Sequence, residues 1–225
     1  MASKIIHKNE LGYGIYTASD ISRILGVPLS KISRYLNNYW DKKSGKDLFK
    51  DTYSWSIDSK IKAVNFYVMI ELYVFIQLSE MGISNQKIFT IRQQIAKDLQ
   101  VPYPFATQGI LTNGKNIWYE HGDMILDSNG TKQTNLIKIL KTFAKKIEFS
   151  SDRMAEKFYP VGKKKSIVVS PHHQFGLPVI DGTNINTDTI SSLYGSGEKI
   201  ETISLLYDLS IKQIKDTISF SKTAA

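Results

Sequence analysis

Residues 17–40 read Thr-Ala-Ser-Asp-Ile-Ser-Arg-Ile-Leu-Gly-Val-Pro-Leu-Ser-Lys-Ile-Ser-Arg-Tyr-Leu-Asn-Asn-Tyr-Trp. Thr17 and Asp20 stand three apart, so the hydroxyl can cap the Asp20 amide while the carboxylate reaches back to Thr17, a reciprocal helix start. Ala18, Ile21, Ile24 and Leu25 then form one apolar face. Gly26 supplies the left-handed residue that ends the helix, and Pro28 presets the backbone for the next one. In that second helix Ile32, Tyr35, Leu36 and Tyr39 recur at spacings of three and four and face inward. Ser30, Lys31, Ser33, Arg34 and Asn37 are left on the open face. The stretch is a helix, a tight turn and a helix.

This arrangement is the one that places a second helix in the DNA major groove, where arginine can take guanine O6 and N7 together and serine or lysine can hold phosphates. The candidate DNA-binding residues are therefore Thr17, Ser30, Lys31, Ser33, Arg34 and Asn37, with Arg34 and Lys31 foremost. The surroundings agree. Between residues 28 and 65 the basic side chains are Lys31, Arg34, Lys42, Lys43, Lys46, Lys50, Lys60 and Lys62, against four acidic ones.

Farther out, Tyr53, Trp55 and Ile57 alternate in a polar stretch, the pattern of a short β wing. Residues 61–80 predict a strongly apolar helix, too short for a membrane span, that forms core or a dimer seam. Gly82 breaks it, Ser84 caps a further helix, and Ile88, Ile91, Ile95 and Leu99 form its buried stripe up to Pro102.

From Tyr103 to Val169 the pattern shifts to short strands and turns. Strands are expected at Phe105–Leu111 and Asn116–Glu120 around the Asn113-Gly114 hairpin pair, with a second turn at 127–130. Further strands are expected at Lys145–Phe149, Lys157–Tyr159 and Ser166–Ser170, with Lys163, Lys164 and Lys165 on the loop between the last two. Beyond Pro171 three short helices follow, the last two, around Glu201–Tyr207 and Ser210–Phe220, turning at Asp208-Leu209-Ser210 and repeating the spacing of the first helical pair.

The expected architecture is thus α+β, mainly α. It comprises a winged helix-turn-helix domain over 1–100, a small β-rich middle module over 101–170, and a C-terminal three-helix, homeodomain-like unit over 171–225. Charge is uneven: the chain carries +8 overall with a sequence pI near 9.4. Residues 132–165 are net plus seven, whereas 66–131 and 166–225 are each net minus two. The acidic balance of the last segment points to dimerisation or protein partners there, not DNA.

With no cysteine in 225 residues, there is no disulfide framework, thiolate metal site or cysteine nucleophile. No secretion signal or membrane-length apolar run is seen, so a cytoplasmic location is expected. His172-His173 is the best enzymatic candidate, but no spaced histidine or paired carboxylate completes a site. Gly12-Tyr13-Gly14 and Gly195-Ser196-Gly197 lack the residues that phosphate loops require. Neither catalysis nor any metal or cofactor is expected.

The segments Phe175-Gly-Leu-Pro-Val-Ile-Asp-Gly-Thr-Asn-Ile185, Gly195-Ser-Gly-Glu-Lys-Ile200 and Tyr207-Asp-Leu-Ser210 resemble a prokaryotic domain family of unknown function that contains VapB-like antitoxins. The N-terminal half resembles the MerR-type winged helix-turn-helix at Tyr16-Thr17, Leu25-Gly26-Val27 and Gly82-Ile83-Ser84 before Ile88 and Ile91. Asn184 stands where the C-terminal family favours arginine, and the long dimerisation helix of MerR-type regulators has no counterpart. The resemblance implies a homodimeric antitoxin of a type II toxin-antitoxin pair that represses its own promoter. It also implies a PIN-type ribonuclease toxin as partner. Lys163, Lys164 and Lys165, with the other lysines from Lys138 onward, suit either DNA backbone or an acidic partner, and the toxin's acidic metal site is the partner expected for them. A free-standing MerR-like regulator with a small-molecule effector is the alternative.

Overall fold

The computed structural model describes residues 13–38, 54–57, 61–110 and 140–223. Strand β1 (Tyr16–Thr17) leads into α1 (Ala18–Leu25) and α2 (Leu29–Tyr35). Next come β2 (Ser54–Ile57), β3 (Ile61–Val64), α3 (Phe66–Glu80) and α4 (Asn85–Asp98). A one-turn helix at Pro104–Ala106 precedes β4 (Ile147–Phe149), β5 (Ala155–Phe158) and β6 (Ile167–Val168). The chain ends with β7 (Val179–Ile180), α5 (Thr187–Gly195), α6 (Ile200–Tyr207) and α7 (Ile211–Thr223). The result is α+β, mainly α, with small antiparallel sheets ordered β1-β3-β2, β4-β5 and β6-β7.

Helix α3 is apolar on every side, and such a helix is stable only when surrounded. Phe66, Val68, Met69, Ile70, Leu72, Val74, Phe75 and Leu78 are all fully buried. Phe75 meets Tyr35 of α2 edge-on at 5.2 Å, and Tyr73 meets Phe158 of β5 at 4.9 Å. One continuous core therefore runs from Tyr16 to Val169, joining the first hundred residues to the strands that follow. Inside it Glu71 and Arg92, both wholly buried, pair at 2.5 Å. Glu71 also accepts the Phe105 amide at 3.0 Å and Arg92 donates to the Pro102 carbonyl at 2.6 Å, so one ionic knot joins α3, α4 and the turn after them.

Several expectations change. The helix expected over 61–80 begins at Phe66, because Ile61–Val64 pair with β2 and Asn65 caps the helix by accepting the Val68 amide at 2.9 Å. Leu99, expected in the buried stripe of α4, is 43% exposed, since it caps the helix and lies past its last inward turn. No strand forms from Phe105: the Glu71 carboxylate takes its amide, Pro104 favours a one-turn helix, and only Thr107 bridges to Met154. The strand expected from Lys145 starts at Ile147, after a helical turn over 140–144. The strand expected at 166–170 pairs with Val179–Ile180, so the boundary expected at 170/171 falls inside a hairpin. The hairpins expected at 112–120 and 127–130, and Tyr39 and Tyr53, lie outside the described residues.

The C-terminal helices enclose their own small core of Ile180, Ile190, Ile203, Leu209 and Ile214. Among the described residues this unit is tied to the N-terminal helical pair and the segment before it at two places. Arg23 of α1 pairs with Asp188 of α5 at 2.7 Å, and the Ile15 amide donates to the Phe175 carbonyl at 3.4 Å. Beside the second tie the Tyr16 ring is gripped between Gly14 and Gly176, where a Cβ would lie 2.6 Å and 2.2 Å from ring or hydroxyl atoms. The Tyr16 hydroxyl is buried and has no hydrogen-bond partner among the described residues, and burial pushes its ionisation far above the ordinary phenol range. Tyr16→Phe removes that hydroxyl and keeps the ring, so it is expected to leave stability unchanged or raise it by up to about 1 kcal/mol. A thermal melt showing a clear loss would mean that the hydroxyl is satisfied after all.

Candidate nucleic-acid interface

The two-helix unit is built locally as its residues dictate. Thr17 Oγ1 accepts the Asp20 amide at 3.2 Å, and the Asp20 carboxylate accepts the Thr17 amide at 2.9 Å and its hydroxyl at 2.7 Å. Gly26 sits at φ 63°, ψ 37°, a left-handed conformation that a Cβ would strain. The Ser22 hydroxyl donates to the Val27 carbonyl at 2.6 Å and the Val27 amide returns to the Ser22 carbonyl at 3.1 Å, locking the turn. Ile21, Ile24, Ile32, Tyr35 and Leu36 are buried under it, so α2 has a fixed orientation over α3.

Of the six residues expected to face DNA, Ser30 and Arg34 are exposed on α2 and Asn37 is exposed on the helical turn that continues it. Ser33 is half-buried beside them. Lys31 is half-buried and paired with Glu80 of α3 at 3.1 Å, which orients it and offsets its charge. Arg34 lies with its guanidinium 5.9 Å from the centroid of the Tyr35 ring, leaving its donors free to reach outward. Thr17 stands apart from this face, its hydroxyl engaged on both sides in the helix cap. The three-stranded sheet flanks the helices, with β1 running directly into α1.

Lys163, Lys164 and Lys165 do share an exposed loop, but they are not equivalent. Lys163 lies 5.4 Å from the Tyr159 ring centroid, whereas Lys165 pairs with Asp216 of α7 at 2.8 Å. Asp216 also accepts Lys212 at 2.8 Å and the Ser166 amide at 3.3 Å. Burial works against its charge, but the bonds from Lys165 and Lys212 outweigh that and hold its carboxyl below the usual range. Sequence reading missed this staple, which joins residues 51 apart in the chain. His172 and His173 are both exposed, and no group of His, Asp or Glu side chains placed to hold a metal occurs among the described residues. No helix among those residues is long and apolar enough to cross a membrane.

The fold and its open helical face define a two-unit α+β protein, and comparison with known proteins places it among relatives without assigned activities. Residues 167–221 match the family model described as a protein of unknown function, DUF433. The match starts at β6, the first strand of the hairpin that opens the C-terminal unit. The chain is similar to the uncharacterized protein Rv2308 of Mycobacterium tuberculosis, at 22% identity over 92% of this chain and 90% of that protein. Its fold is also that of the crystal structure of Rv2018 from Mycobacterium tuberculosis, with a TM-score of 0.72 at 17% identity, covering 90% of this chain and 96% of the other.

Proposed function

We propose that this protein is a DNA-binding transcriptional repressor that serves as the antitoxin of a type II toxin-antitoxin pair, acting as a homodimer. The observation that carries the DNA half is the α2 face: a helix seated on buried Ile32 and Tyr35, with Ser30 and Arg34 exposed on it and Asn37 exposed just past its end, in a chain of net charge +8. Read this way the N-terminal unit is a winged helix-turn-helix, with β2 and β3 as its wing. Arg34 reads a base, and Ser30, Lys31 and Ser33 hold backbone or base edges.

The partner half is supported by an uncovered apolar surface on the C-terminal unit. Leu205 is 85% exposed and Leu206 67%, two and three residues after the buried Ile203. Neighbouring leucines held open on a rigid helix mark a surface that another protein covers. The resemblance of this segment to a family containing VapB-like antitoxins makes a PIN-type ribonuclease the partner proposed here.

Arg34→Ala is expected to weaken binding to a duplex from the protein's own promoter by about 1–3 kcal/mol and to relax sequence preference at one position. Fluorescence anisotropy against that duplex and an unrelated one measures it. Equal affinity of wild type and variant for both would remove Arg34 from the reading face. Co-purification with the product of the adjacent gene tests the antitoxin role, and promoter DNA recovered with no protein partner would favour a free-standing regulator.

A further inference from the structure

The turn between α6 and α7 reproduces the turn between α1 and α2 bond for bond. Ser204 donates its hydroxyl to the Leu209 carbonyl, as Ser22 does to Val27. The Leu209 amide returns to the Ser204 carbonyl at 3.1 Å, the same distance as Val27 to Ser22. Asp208 takes the left-handed conformation at φ 52°, ψ 45°, where the first unit uses Gly26. Ile21 and Ile203 are both fully buried five residues before that position, and Ile32 and Ile214 are both fully buried six residues after it. Ser210 and Gln213 form the reciprocal cap of the second helix, the Gln213 amide donating to the Ser210 hydroxyl at 3.2 Å and Ser210 donating back. The C-terminal pair is thus a second unit of the same design.

The shared register fixes which α7 residues occupy the places of the α2 face. Lys212 stands at the position of Ser30, Lys215 at that of Ser33, Asp216 at that of Arg34 and Ser219 at that of Asn37. The arginine position therefore carries the aspartate that grips Lys165 and Lys212. Lys212 additionally donates to the Lys164 carbonyl at 3.0 Å. This staple holds the 163–165 loop against the first turns of α7 and gathers Lys163, Lys164, Lys165, Lys212 and Lys215 on one side of the unit. The carboxylates near them are Asp216, Glu148, which binds Lys157, and Asp181, whose amide donates to the Ser166 carbonyl at 2.9 Å. The face stays net positive although residues 166–225 as a whole are net negative.

We infer that this α7 face is a second DNA contact, one that holds the phosphate backbone and does not read bases. The inference rests on the DNA-binding function proposed for the first unit and extends it to the second. A face with lysines where the first unit has serines, and with a committed aspartate where it has arginine, can neutralise phosphates but has no fork to read guanine. Arg23–Asp188 and the Tyr16–Gly176 contact join the two units, and in this inference both engage one duplex and lengthen the footprint.

The test uses Lys163→Ala, Lys164→Ala and Lys215→Ala combined, which leaves the Lys165–Asp216–Lys212 staple in place, with the thermal midpoint as a folding control. Binding to the promoter duplex and to an unrelated duplex is followed as a function of salt. The expected result is a uniform loss of affinity for both sequences, with the slope of log K against log salt shallower by roughly 0.9 for each phosphate contact removed. Arg34→Ala in parallel should alter sequence preference instead. An unchanged slope in a folded triple variant, with promoter preference intact, overturns the second contact and leaves the first standing. The same unchanged slope with loss of an acidic protein partner would assign the lysines to that partner. Failure of the wild type to bind either duplex would overturn both.

Discussion

Glu71→Ala is expected to destabilise the protein by about 3–5 kcal/mol, a large share of the roughly 5–15 kcal/mol that keeps a typical domain folded. Glu71 and Arg92 are wholly buried, so removing the carboxylate takes a counter-charge from a buried guanidinium and strips the Phe105 amide of its acceptor. The size of the loss comes from that buried charge and not from the net value of the pair. Glu71→Leu combined with Arg92→Met, which replaces both partners by apolar side chains, should recover most of the loss. Chemical denaturation of the wild type and both variants decides the matter: a loss below about 1 kcal/mol in Glu71→Ala would show that water or another group reaches the pair.

Gly176→Ala should cost about 2–5 kcal/mol, from two separate sources. Gly176 sits at φ 94° at the end of a left-handed run that includes Gln174 at 48° and Phe175 at 56°, so any side chain there is strained. Its Cβ would also fall 2.2 Å from the Tyr16 hydroxyl, and Tyr16 is held in the main core. A double-mutant cycle separates the two. In a Tyr16→Ala background the collision disappears and only the backbone strain, about 1–3 kcal/mol, remains. An identical cost in both backgrounds would show that Tyr16 yields freely and does not clamp the loop. This junction joins the two helical units, so the single variant should also disturb any function that needs both at once.

The first helical pair was legible because all its determinants lie within a few residues of one another. Thr17 and Asp20 cap, Gly26 turns, and Ile21, Ile24, Ile32 and Tyr35 recur at helical spacing, so local chemistry alone specifies the unit. The C-terminal turn at Asp208-Leu209-Ser210 was legible for the same reason. Which surface that unit presents was not legible, because charge summed along residues 166–225 hides which side chains share a face. Lys163 and Lys164 belong to an earlier segment in the sequence but to the α7 face in space, joined through the Asp216 staple.

Where strand and helix compete, the sequence was ambiguous. Ile61–Val64 and Phe105 are apolar stretches that suit either state, and each is decided by a distant partner: β1 for the first, the Glu71 carboxylate for the second. Helix α3, apolar on every side, announced that it must be buried without showing what would bury it. Residues 17–40 by themselves determined a capped helix, a left-handed glycine turn and a second helix with Arg34 on its open side. Only the tertiary structure decided that Lys31 answers to Glu80 and that the two helical units are joined through Tyr16 and Arg23. Those outcomes depend on long-range pairings whose formation couples residues distant in the chain, and no local pattern encodes them.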